Sequence, residues 1–434
     1  MLSWSIWPVV HWFLMSLKIV LFNCFIYFLG LIILMNGKAL NLKGKNAEEF
    51  VYTLAKKTFF EDWCFPNPII KEIKGDKEIC DLLIVFDDLA IIWQVKDLKL
   101  DENGNYNKRE VEKNLKQLSG ARRFLFDLKK PIELENSRRK KEIFDPTKIK
   151  EIYLISALLG EGELISSFAK IYNNQHIHVF NRQFVEDVLT ELDTIVDFVN
   201  YLKEKEVIFN KDLNITLMGG EHELLAYYLM NERTFSNLFE YDSVIITDDW
   251  WEELHTKPEY LAKKNEDKIS YGWNGIIEDC HNNITEDNYE IIAKELAKTS
   301  RFERRCLGKA YYGACVFANN SKDSNFFMRN YSIPKYNILY TFVFSDMSNR
   351  KDLLLNVCIT AKYSLKEYFS KSFKVIGIAT QMKLSPIGVR ELCYLDSEFS
   401  FNDDLVKRIE QYKKDLNIFQ NQKSEPFHED EYPK

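Results

Sequence analysis

Between Lys77 and Lys99 the chain reads KEICDLLIVFDDLAIIWQVKDLK, two apolar runs separated only by Asp87 and Asp88. An aspartate pair tolerates the positive φ of a tight turn, and the flanking residues suit strands, so the stretch predicts a hairpin with a two-residue loop. That register sets Phe86 against Leu89, Leu82 against Trp93 and Asp81 opposite Gln94. Strand side chains alternate, so Gln94 and Lys96 share one face while Trp93 and Val95 share the other. A carboxylate, an amide and an ammonium therefore meet at one end of an otherwise apolar hairpin. Such groups are costly to bury unpaired, so their convergence marks a candidate site rather than a device for stability.

The flanks of the hairpin predict a layered α/β unit. Apolar residues at Phe50, Val51, Leu54, Ala55 and Phe59 form a helical stripe, with Asn46 as its N-cap. Pro66 and Pro68 end that helix and lead into a first strand near Ile69 to Ile73. After Lys96 comes a polar loop with a turn at Asn103-Gly104, then an amphipathic helix from Arg109 to Leu128. Its core positions are Val111, Leu115, Leu118 and Leu125, and its other faces carry Lys113, Lys116, Arg122 and Arg123. Gln117 on the same helix is placed to lean toward the site. Glu133 to Lys150 reads as a charged connector with a basic run at Arg138 to Lys141, and IYLISALL and HIHVF as two further buried strands. Between those strands, Glu163 to Tyr172 has helical periodicity. Helices interleaved with apolar strands predict a sheet covered by helices on its faces.

Cys80-Asp81 followed by Gln94-Val95-Lys96 on the next strand, behind an acidic helix, resembles the PD-(D/E)xK nuclease superfamily, specifically its Mrr-like restriction endonuclease branch, in which glutamine replaces the acidic residue of the last triplet. The resemblance covers Gly37 to Phe180. It implies that Asp81, Gln94, Lys96 and a helix glutamate form the catalytic set. Glu48 is favoured for that glutamate over Glu49, because it leads the row Val51, Ala55. It also implies Mg²⁺ or Mn²⁺ held by Asp81, Glu48 and the backbone carbonyl of Val95. Lys113, Lys116, Arg122 and Arg123 read either as an ordinary solvated helix face or as nucleic-acid contacts, to phosphates, of the helix that follows the active strand. Cys80 stands where the motif has proline. Gln94 can ligate only through a neutral carbonyl oxygen, which weakens a metal site relative to a carboxylate.

The fold class expected is thus α/β: a restriction-endonuclease-like core with a central mixed sheet flanked by helices, then a mainly helical region and a small α/β unit. At 434 residues the chain has room for two or three domains. The expected divisions are a hydrophobic segment over 1–35, a nuclease-like domain over 37–206, a helical region over 207–331, an α/β unit over 332–420 and a polar, frayed tail over 421–434. Within the helical region, Arg301, Arg304 and Arg305 beside Phe302 suggest a phosphate-binding patch. Net charge is −7, but basic residues outnumber acidic ones between Gly37 and Lys150, whereas acidic residues dominate beyond it. The half that carries the hairpin is the half suited to a polyanion.

Other chemistries find no footing. Eight cysteines occur without a CxxC pair and seven histidines without HExxH, so no zinc site is visible and the thiols read as those of a reducing cytosol. GxxxxGK[ST] is absent, which argues against an NTPase. Ile19 to Met35 is apolar apart from Asn23 and as a helix would span about 25 Å, just short of a membrane's roughly 30 Å hydrocarbon core. It reads either as an inner-membrane anchor with Lys38, Lys43 and Lys45 on the cytoplasmic side, or as an over-long start before Met35; cytoplasmic location is expected. The leading function is a metal-dependent DNA endonuclease of restriction or antiviral defence, with a defence-system partner protein and, for duplex cleavage, a homodimer. The alternative is an inactive nuclease-fold sensor or nucleic-acid-binding protein.

Overall fold

The computed structural model describes residues 47–72, 75–98, 103–128, 132–160, 170–210, 213–282, 288–321, 325–369, 371–382, 390–420 and 427–433. The apolar segment over 1–35, the alternative start at Met35 and the N-cap assigned to Asn46 lie outside them. No helix among the described residues is long and apolar enough to cross a membrane.

Helix α1 (Ala47–Phe59) leads into β1 (Cys64–Pro66), the small hairpin β2 (Ile69–Glu72) and β3 (Gly75–Glu78), and then β4 (Leu82–Phe86) and β5 (Leu89–Asp97). The β4–β5 register pairs Leu82 with Trp93 and Phe86 with Leu89. Asp87 takes φ 55°, the left-handed value that the tight turn requires. Helix α2 (Lys108–Arg122) widens into a π-helical turn over Arg123–Asp127. A second small hairpin, β6 (Ile132–Leu134) and β7 (Glu142–Phe144), precedes β8 (Glu151–Leu159), β9 (Lys170–Tyr172) and β10 (Gln175–Asn181). Six strands form the central sheet in the order β1-β4-β5-β8-β10-β9. β1, β4 and β5 run antiparallel, β5, β8 and β10 parallel, and β9 antiparallel to β10. The sheet is therefore mixed.

Alternation divides the strands between two helical layers. Leu82, Ile84, Phe86, Ile91, Trp93 and Val95 pack with α1, α3 (Arg182–Glu191) and α4 (Ile195–Phe209), where the Trp93 ring stacks on Phe198 at 6.1 Å. Leu83, Ala90, Ile92 and Leu98 face Leu115, Leu118 and Leu125 of α2 and its π-helical turn. Gln94 and Lys96 share the parity of Ile92 and Leu98, so they lie on the α2 side.

Beyond the sheet come β11 (Asn214–Leu217), α5 (Glu221–Met230), β12 (Ser243–Ile246), α6 (Trp250–Thr256), α7 (Pro258–Glu266), α8 (Ser270–Asn282), α9 (Asn288–Ala297) and α10 (Arg301–Asn320). This region is helical apart from the parallel pair β11–β12. A four-stranded sheet follows, of β13 (Phe326–Ile333), β14 (Ile338–Ser345), β15 (Lys374–Thr380) and β16 (Arg390–Leu395), with α11 (Arg350–Ser364) and α12 (Asp403–Asp415). The chain thus has the mixed α/β architecture with a later helical region and a small α/β unit. One continuous apolar cluster runs from α1 through the helical region to β14 and β16.

Several local expectations are corrected. The strand that joins the central sheet is Cys64–Pro66, not the segment beginning at Ile69, which pairs with Gly75–Glu78 instead. β1 is the sheet's edge, where a proline lacking its N–H is tolerated. The Glu133–Lys150 connector contains the β6–β7 hairpin. Lys170–Tyr172 is a strand rather than a helix end, and the rest of that expected helix (163–169) lies outside the described residues. Phe326–Ile333 is a strand, paired along its length with β14. Arg301, Arg304 and Arg305 are buried, so they form no surface patch. Arg301 donates to Asp193 at 2.7 Å, Arg304 to Asn274 at 2.9 Å and Arg305 to Asp267 at 3.2 Å. The described part of the tail is docked rather than frayed: Tyr432 donates to the Leu229 carbonyl at 2.8 Å and Glu429 accepts from Lys309 at 2.6 Å.

Candidate functional site

Asp81 is fixed by its own backbone before its side chain is considered. Its N–H donates to the Trp93 carbonyl at 3.2 Å, and its carbonyl accepts from Asn67 N–H at 2.9 Å. Its carboxylate stands just before β4 and beside β5. There Oδ2 accepts from the Gln94 side-chain amide at 2.6 Å and from Val95 N–H at 2.5 Å. In an extended strand the N–H and carbonyl of one residue leave the same edge, so the Val95 carbonyl also points toward Asp81. Asp81 and Gln94 are each only 8% exposed, and Lys96 is half-buried one step along the same face.

Electrostatics reveal what surrounds the carboxylate. Burial pushes the Asp81 pKa up from 3.8 to about 7; the Val95 N–H bond and the Lys96 charge pull down, while Glu48 and Glu78 push up. Burial and then Glu48 raise Glu78 as well. Carboxylates in the first turn of α1 and at the end of β3 therefore both act on the one that stands just before β4. Glu49, the neighbour of Glu48, is exposed and accepts from Thr53 at 3.3 Å. Cys80, at the proline position of the motif, is buried in the apolar layer beneath α2, and burial pushes its thiol pKa well up.

Asp81 and Gln94 open into a cavity of about 310 Å³. One wall is the β2–β3 hairpin, through Ile70, Lys77, Glu78 and Ile79; the other is α2 and its π-helical turn, through Gln117, Gly120, Ala121, Arg123, Phe124 and Leu128. Lys113, Gln117, Gly120 and Phe124 fall on one i, i+4, i+7 row, so Lys113 lies one turn before the first of the helix residues that line the cavity. Lys113 is exposed, 3.9 Å from Glu110, and Lys116 beside it is exposed too. Arg123 lines the cavity, whereas Arg122 is engaged with Asp127 at 3.1 Å. Of the four basic candidates, Arg123 lines the cavity, Lys113 and Lys116 are exposed further toward the start of α2, and Arg122 is engaged with Asp127.

A hard divalent cation takes oxygen donors, and the donors here are oxygens: the carboxylates of Asp81, Glu48 and Glu78 and the Val95 carbonyl. A carboxylate whose pKa is raised by burial and by like charges is one that a cation would return to its ionised form. Among the described residues, the three-residue group whose ligand atoms already lie within 4.8 Å is elsewhere: Asp62, Glu278 and His281. A guanidinium already balances that group, since Arg138 lies 3.3 Å from Asp62 and 2.6 Å from Glu278. Asp62 and His281 approach to 2.9 Å.

Sequence reasoning missed Glu78 and the Asp62–His281 contact. Glu78 reaches the site only because β2 and β3 fold back on each other, and nothing in the residues Gly75 to Glu78, all exposed, announces that closure. Asp62 and His281 meet through tertiary packing alone. Gln117 was the usable signal on α2, a polar residue on the wall row. No family model, curated protein or solved structure matches the chain, so the site is defined by its own geometry.

Proposed function

We propose that the protein is a metal-dependent DNA endonuclease that hydrolyses phosphodiester bonds, acting in prokaryotic restriction or antiviral defence. The observation that carries this reading is the pairing of Asp81 with Gln94 on one cavity floor, with Lys96 and Glu48 both close enough to act on the Asp81 carboxylate. Asp81, Glu48 and the Val95 carbonyl would hold Mg²⁺ or Mn²⁺. Bound there, the ion would supply an activated water and stabilise charge on the phosphorus oxygens. Lys96 would orient the attacking water and offset negative charge developing on the phosphate. Gln94 keeps Asp81 in its rotamer and favours its ionised form by donating to Oδ2. Lys113, Lys116 and Arg123 are the side chains best placed to meet phosphates flanking the cut. Cutting both strands of a duplex would need a second copy or successive nicks. The working location would be the cytoplasm, at the membrane if residues 19–35 form an anchor.

A second reading is a nucleic-acid sensor that does not cut. It is favoured by the Gln94 amide, which donates to the very carboxylate a metal needs. Supercoiled-plasmid cleavage with Mg²⁺ or Mn²⁺ tests both, comparing the wild type with Asp81→Ala and Lys96→Ala. Nicking or linearisation by the wild type alone is the expected result. Cleavage retained in both variants would overturn the residue assignment. Folded wild type that binds DNA in a salt-sensitive way without cutting would favour the sensor.

A further inference from the structure

The depth of Asp81 limits what can reach it. Asp81 and Gln94 are each only 8% exposed, and among the described residues the approach is the cavity between the β2–β3 hairpin and α2. At about 310 Å³ that cavity is at the small end of the range that holds a small ligand, about 300–1,000 Å³. A duplex carries each phosphate on the outside of a wide, stiff cylinder whose bases are paired inward. To bring such a phosphate to Asp81, the hairpin and helix walls would have to enter the body of the duplex. A single strand has no such constraint, because one nucleotide can turn into the cavity while its neighbours stay outside.

The walls suit that occupant. Phe124 contributes an aromatic ring, and Ile70 and the half-exposed Leu128 extend the apolar surface. Stacking on an aromatic ring accepts any base, because every base has a π-face. Gln117, on the same row as Phe124, carries an amide that can donate to and accept from a base edge. Lys77 and Arg123 line the cavity, and the exposed Lys113 and Lys116 lie further along α2, so cations are available to a sugar–phosphate backbone that leaves it. Apolar walls with an aromatic ring, an amide on one side and cations at the mouth fit a nucleotide in place of a bare phosphate.

We infer that the cavity receives one unpaired nucleotide, so that the substrate is single-stranded or locally unpaired DNA rather than intact duplex. This rests on the phosphodiesterase reading of the same site.

The test separates the two. Full-length wild type with Mn²⁺ is offered one labelled sequence as a single strand, as a duplex and as a duplex with a central unpaired bubble. Binding of the same three DNAs to full-length Asp81→Asn is followed by fluorescence anisotropy, where cleavage cannot interfere. Single-stranded and bubble DNA should be cut, and bound, at least roughly tenfold better than the duplex. Phe124→Leu keeps an apolar side chain against the core but removes the ring, and should erase most of that preference. Duplex cut or bound as well as the single strand would overturn the inference while leaving the nuclease standing. Single-strand preference in binding that Phe124→Leu abolishes, without cleavage of any DNA, would uphold the substrate class and overturn the catalysis. A single-strand preference unchanged by Phe124→Leu would remove the cavity from the explanation, and no binding to any of the three would overturn both readings.

Discussion

Replacing Asp81 by Asn should stabilise the metal-free protein, and by an amount that grows with pH. Burial and the nearby carboxylates raise the Asp81 pKa from 3.8 to about 7, so the folded protein holds this proton over a range where the unfolded chain has lost it. A raised folded-state pKa gives stability that is fully present below the unfolded value and is lost as pH rises to the folded one. The loss runs at about 1.4 kcal/mol per pH unit between pH 3.8 and about 7, a total of roughly 4 kcal/mol, and is then constant. Water that enters the cavity when the carboxylate ionises will reduce this, so roughly 2–4 kcal/mol is expected. Asn is nearly isosteric, and its Oδ1 can still accept from Val95 N–H and the Gln94 amide. Urea denaturation of both proteins in chelator at pH 5 and pH 8.5 measures the difference. The variant's advantage should widen by roughly 2–3 kcal/mol between the two conditions, with m unchanged. Mn²⁺ at pH 8.5 should stabilise the wild type and leave Asp81→Asn unmoved. An advantage constant with pH to within about 0.5 kcal/mol would refute the electrostatic picture of the site.

Two further outcomes follow from pairs and rows elsewhere in the chain. Lys205 and Glu221 form an ion pair that is essentially excluded from solvent, with Tyr201 also donating to the carboxylate at 3.2 Å. Lys205→Met should cost about 3–5 kcal/mol in a denaturant titration, with Lys205→Met plus Glu221→Gln costing less, because the single change strands a buried carboxylate. A loss below about 1 kcal/mol would mean the pair is hydrated. Lys113→Ala with Lys116→Ala should weaken DNA binding and reduce the slope of log affinity against log salt by about 1.5–2, with circular dichroism unchanged. An unaltered slope would show that this row does not meet phosphates.

The hairpin was legible because everything that fixes it is local. Asp87 supplies the turn, alternation supplies the two faces, and together they predict the observed Leu82–Trp93 and Phe86–Leu89 pairs. Helix α2 was legible from Val111, Leu115, Leu118 and Leu125, although its last turn relaxes to a π-helix that no period announces. Where the reading failed, the deciding partner was distant. FFMRNYSI becomes β13 because β14 offers a ladder along its length, while its own half-buried residues carry no clean alternation. Arg301 and Arg305 advertise charge, but Asp193 and Asp267, which neutralise them, are far away in sequence. A cluster of arginines therefore looks like a surface patch until its acids are found.

Gln94 is best understood through the charges around it. If its amide alone is considered, the site lacks the second strand carboxylate that would help hold a cation. Glu48 from α1 and Glu78 from β3 are both near enough to raise the proton affinity of Asp81, so further negative charge reaches the site from other elements. A carboxylate at position 94 would sit where the amide now donates at 2.6 Å, and would add repulsion to a group already pushed to about 7. The amide does the opposite, since a donor to Oδ2 favours the ionised form. Lys96 on the same face acts in the same direction. The strand thus presents Asp81 with a donor and a cation, and the helix and hairpin present it with acids. That division leaves a single buried carboxylate with a pKa of about 7, and a divalent cation bound beside it would favour its ionised form.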